Sequence, residues 1–135
     1  MTELPADLAR FVRGETDPAT FTHREHVRMA FELLRRYDFP ETVLHYSRAL
    51  QALTARAGVP GKFHQTMTVA FLSLIAERLF ERGTETFETF TRDHPDLLDR
   101  SVLERLYDPE RLASTAARST FLLPTMPARQ GGARC

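Results

Sequence analysis

Apolar residues recur along this chain every three or four positions, and strict alternation is never sustained. That is the period of an α-helix rather than a strand. From Thr22 onward, Val27, Ala30, Leu33, Leu34 and Tyr37 fall on one side of a helix. Arg24, Glu25, Arg28, Glu32, Arg35 and Arg36 fall on the other. Thr22 and Glu25 have the spacing of a capping box, in which the hydroxyl accepts from the third helical amide and the carboxylate reaches back. A second helix is expected from Pro40, whose missing N–H costs nothing at a first position. Its stripe is Val43, Tyr46, Leu50, Leu53 and Ala57, and Gly58 and Pro60 end it. A third, from Phe63 to Arg82 with Gly83 as its cap, is apolar around most of its circumference and is expected to be central.

Beyond it the pattern shortens. Thr84 is expected to open a helix carrying Phe87 and Phe90, interrupted at Pro95. Ser101 with Glu104 repeats the capping-box spacing, and Asp108-Pro109 should start a last helix through about Arg118. Phe121 to Leu123 are expected to pack on the domain, with the residues after Pro127 loose. Short connections make consecutive long helices antiparallel neighbours. The expectation is an all-α, single-domain helical bundle of about four main helices, with short helices and a partly extended C-terminal tail. The domain would span 1–127 and the flexible tail 128–135.

Length and composition add bounds. At 135 residues the chain suits one domain able to bury about two-thirds of its unfolded surface. With 18 basic and 18 acidic residues, it lacks the charge excess that usually accompanies nucleic-acid binding. Its single cysteine, Cys135, allows no disulfide within the chain and no thiolate cluster. The start reads as no secretory signal, and no apolar run approaches the roughly 18 residues of a membrane span. A cytoplasmic location is the resulting expectation.

Three of the five histidines change the picture. His45 falls with Glu41, Arg48 and Arg56, and His94 precedes Pro95 in a polar turn; both read as exposed. His23, His26 and His64 instead lie on the apolar arcs of their helices, where a polar group needs a partner. His23 and His26 occupy the first turn of the first long helix and His64 the first turn of the third. In an up-down-up arrangement all three reach the same end of the bundle. Three converging imidazoles with an open position describe a catalytic zinc site. Copper, nickel or iron would also accept imidazole. Thr68 and, more weakly, Glu25 are the neighbouring candidates for orienting solvent or acting as a base. Thr66 reads as a local cap and Gln65 as a solvated residue. No Gly-rich phosphate loop or nucleophile elbow is present.

Phe21-Thr22-His23-Arg24-Glu25-His26-Val27, Phe63-His64-Gln65-Thr66-Met67-Thr68, Phe87 with Phe90, and Ala117-Arg118 through Phe121 and Pro124 carry a resemblance over most of the chain. It resembles a group of small, largely uncharacterised bacterial helical proteins with an FxHxxH and (Y/F)HxTxT pattern. The resemblance implies that His23, His26, His64 and Thr68 are the residues to watch. Phe63 and Gln65 depart from the Tyr and Glu of that pattern, which puts chemistry by those two groups in doubt. A looser likeness is to DinB-type bundles, which hold a metal with three histidines at a different spacing. The expectation is a metal-dependent small-molecule enzyme with one divalent ion, zinc or copper, on His23, His26 and His64. It would act on a small-molecule substrate, alone or as a homodimer, without nucleic acid or membrane. The alternatives are a non-catalytic helical module binding a ligand or partner, and a pocket using the histidines as acid–base groups without metal.

Overall fold

The structure is a computed structural model that describes residues 4–82 and 86–125. Among the described residues seven α-helices run in order: α1 (Ala6–Val12), α2 (His23–Arg36), α3 (Phe39–Arg56), α4 (Gln65–Arg82), α5 (Phe87–Asp93), α6 (Pro109–Leu112) and α7 (Thr115–Ser119). Short 3-10 turns lie between them, and no strand occurs among the described residues. None of the described helices is long and apolar enough to cross a membrane. The all-α expectation holds, with three long helices in place of four. The expected cap at Gly83, the helix start at Thr84 and the loose tail after Pro127 lie outside the described residues.

Helices α2, α3 and α4 pack against one another, and α1 closes over α2 and α3. The core they share includes Leu8, Phe11, Val27, Phe31, Leu33, Tyr46, Leu72 and Ile75, all nearly or fully buried. The periodicity did not reveal α1, whose seven residues follow Pro5 without a side-chain cap. Its docking is polar as well as apolar: Arg28 on α2 pairs with Asp7 of α1 and with Glu25, the latter at 2.9 Å. Glu25 is therefore not the returning arm of a capping box. Only the Thr22 half forms, with Thr22 Oγ1 accepting from the Glu25 amide at 3.3 Å.

Gly14 follows α1 with φ +76°, a left-handed conformation that favours glycine. A Cβ there would stand 2.8 Å from Cβ of Ala52 on α3.

Other expectations need correction too. Asp99, not Ser101, caps the turn at Arg100–Arg105, accepting from the Ser101 amide and hydroxyl. The single helix expected from Pro109 to Arg118 is two, because Ser114 Oγ accepts from the Ala117 amide and starts α7 afresh. Gln65 is half-buried and donates to Ser47 Oγ. His94 is half-buried too, its ring 4.9 Å from Phe90, with Nδ1 accepting from Arg78. His45, also half-buried, lies on the Tyr37 ring. Phe121 and Leu123 are exposed, so the C-terminal segment is held by hydrogen bonds more than by packing.

Thr66 is the centre of that attachment. It is fully buried, and its hydroxyl donates to the Thr120 carbonyl at 2.7 Å while accepting from the Leu122 amide at 3.0 Å. Tyr107 donates to the Leu122 carbonyl, and the Thr125 amide donates to the Leu106 carbonyl. Thr66→Val keeps the shape and strands both backbone partners, which costs about 1–3 kcal/mol. Hydrogen exchange of the Leu122 amide should accelerate with it; an unchanged protection factor would contradict the attachment.

Candidate functional site

The three histidines selected from the sequence do line one cavity, of about 440 Å³, between α2, α3 and α4. Its size is in the range used for small molecules. The apolar wall comes from Phe21 ahead of α2, Leu50 and Leu53 on α3, Phe63, Met67 and Phe71 around the start of α4, and Leu103. Each helical residue reaches it through the period that makes its helix amphipathic.

The imidazoles do different work. His64 stands immediately before α4 and caps it. Its Nδ1 accepts from the Met67 amide at 3.1 Å, and its carbonyl accepts from the Thr68 amide. The opposite nitrogen, Nε2, donates to the Leu112 carbonyl at 2.7 Å. Both nitrogens are thus engaged by backbone, and the hydroxyl of Thr68 donates to the His64 carbonyl at 2.7 Å. Thr68 is a buried wall residue whose proton is already placed.

His23 donates from Nε2 to the Leu97 carbonyl at 3.1 Å, which fixes its tautomer and leaves Nδ1 without a proton. Burial lowers its pKa; the Leu97 carbonyl partly opposes this. His26 lies 6.2 Å from it, ring to ring, with planes 28° apart. Phe21 covers His26 at 4.6 Å, and Phe71 covers His23 at 5.4 Å. The His26 ring makes no hydrogen bond among the described residues, although its own carbonyl accepts from the buried Tyr46 hydroxyl at 3.0 Å. Burial, with His23 and Arg100 nearby, pushes the His26 pKa down to about 4. It is a neutral imidazole facing the cavity.

The predicted trio therefore shares a cavity without sharing a point. Among the described residues, no three His, Cys, Asp or Glu side chains are placed to hold one ion. The reason is local: the cap on α4 and the Leu112 carbonyl occupy the nitrogens that His64 would need. Glu25 is not part of the wall and is bound to Arg28.

Lys62 and Arg100 are wall residues that the sequence reading passed over. Lys62 is the chain's single lysine, two residues before His64, a signal that was available. Arg100 lies in a 3-10 turn whose position no helical period discloses. No protein-family model, curated protein or solved structure matches the chain.

Proposed function

We propose that the protein binds a small molecule between α2, α3 and α4, and that His26, with His23 beside it, supplies the hydrogen-bonding and acid–base chemistry toward it. The observation that carries this reading is the His26 ring. It is half-buried, neutral, on the cavity wall, and without a hydrogen-bond partner among the described residues. Its ring nitrogens are left to the cavity, where a bound molecule would pair with them. A neutral imidazole is also the form that takes a proton as a general base. Aromatic and aliphatic walls with few polar groups are the usual construction of such a pocket.

A thermal-shift screen of small neutral, anionic and cationic compounds on wild-type protein and on His26→Gln tests it. Compounds that stabilise the wild type should lose about tenfold or more in affinity in the variant, as expected when a buried polar contact is removed. Equal binding to both proteins would remove His26 from the function.

Metal-dependent catalysis is the second reading. The Nε2–H bond from His23 to the Leu97 carbonyl is the arrangement that orients metal-ligating histidines. A three-histidine centre would also need His64 to exchange its bond with the Met67 amide for the ion. Zinc and copper remain the first to test. Stoichiometric metal in untagged protein, lost on His64→Ala, supports this reading. Binding in the screen that survives a chelator supports the metal-free one.

A further inference from the structure

The charged groups of the cavity are one-sided. Its wall holds two cations, Lys62 and Arg100, and no carboxylate, in a chain whose acidic and basic residues are equal in number. Neither the Lys62 nor the Arg100 side chain forms an ion pair or hydrogen bond among the described residues. Asp99, whose charge acts on His23, is not a wall residue and has its carboxylate bonded to Ser101.

The neutral donors of the wall are largely spent. Tyr46 donates to the His26 carbonyl, Thr54 to the Leu50 and Gln51 carbonyls, and Thr68 to the His64 carbonyl. His64 donates to Leu112 and His23 to Leu97. Among the described residues, a polar group entering the cavity therefore meets the Lys62 and Arg100 cations, the Thr22 hydroxyl, His23 Nδ1 and the His26 ring, with apolar side chains around them.

Resting on the pocket reading above, we propose that the ligand is a small organic acid. Its aliphatic or aromatic body would lie against Phe63, Met67, Phe71 and Leu103, and its carboxylate on the basic side formed by Lys62 and Arg100. Charge of one sign lining a cleft raises the local concentration of the opposite ion. The apolar walls disfavour a heavily hydrated polyanion. A cation would meet repulsion and no acceptor carboxylate.

The singularity of Lys62 makes the test direct. 4-Phenylbutyrate and octanoate, each paired with its uncharged amide, would be titrated into the full chain by calorimetry. Acylation of the Lys62 amine would be followed in parallel by peptide mass spectrometry. The acids should bind about tenfold or more tightly than the amides, and the preference should shrink as salt is raised. The acids should also slow acylation of Lys62. In the double variant Lys62→Gln, Arg100→Gln, acid and amide should bind within about twofold of each other. Both side chains are exposed, so the variant should keep the wild-type circular dichroism and melting temperature. Amides that bind as well as the acids would overturn the inference and leave the pocket reading standing. Failure of all four probes would also overturn it, and the pocket reading would then be decided separately by the wider screen and His26→Gln.

Discussion

Phe31→Ala is expected to lower the unfolding free energy by about 3–5 kcal/mol. Phe31 is fully buried on α2, and its ring meets Phe87 at 5.5 Å and Phe90 at 5.1 Å, both on α5. The Arg35 guanidinium lies over the same ring at 5.1 Å. Truncation removes an apolar group that joins α5 to α2, and rings held from two sides collapse poorly into the void. A melting temperature lower on the order of 10–20 °C should accompany it. Phe80 provides the control: it is 91% exposed on α4, so Phe80→Ala should stay within ~0.5 kcal/mol. Equal losses at the two positions would contradict the core described above.

Acidification below neutrality should destabilise the protein through His26. The pKa of His26 is about 4 in the fold, against an ordinary 6.5. The unfolded chain therefore binds more protons between those values, and stability falls as pH falls through that window. The contribution is fully present above pH 6.5 and amounts to at most roughly 3 kcal/mol. Burial lowers the pKa of His23 as well, in the same direction. Asp96, held below the ordinary 3.8 by the Arg78 guanidinium, loses its contribution only at lower pH. Urea unfolding at pH 7 and pH 4.5 measures the slope, and His26→Gln should flatten much of it. A His26 ring signal that titrates at an ordinary imidazole value in NMR would refute the burial argument.

Which parts were legible follows from what periodicity encodes. The inward faces of α2, α3 and α4 were readable because each long helix repeats its apolar stripe over several turns. Val27, Leu33, Tyr46, Leu50 and Leu53 are indeed buried. The same stripes placed His23, His26 and His64 at one end of the bundle, and the cavity joins them. Helix α1 was not readable, since seven residues give too few turns for a period. The break between α6 and α7 turned on one serine oxygen choosing an amide, a local competition that propensity alone leaves open.

The site shows the same division. An apolar arc identifies residues that face inward but says nothing of whether the space there is filled. That depends on ring positions such as Phe21 over His26 and on Arg100 arriving from a 3-10 turn. Nor does an arc say how an imidazole uses its nitrogens. Histidine stands outside the usual Ser, Thr, Asp and Asn caps, so the engagement of His64 with the Met67 amide came only with coordinates. Thr66 was misassigned for a related reason: its partners, Thr120 and Leu122, are more than fifty positions away.

The close approach at Gly14 carries a prediction about variation rather than about stability. A side chain at 14 needs both a left-handed backbone and space already taken by Ala52. Chains that descend from a common ancestor with this one and keep α1 against α3 should therefore hold glycine at 14. Where they do not, both the turn after α1 and the residue opposite, at 52, should have changed with it.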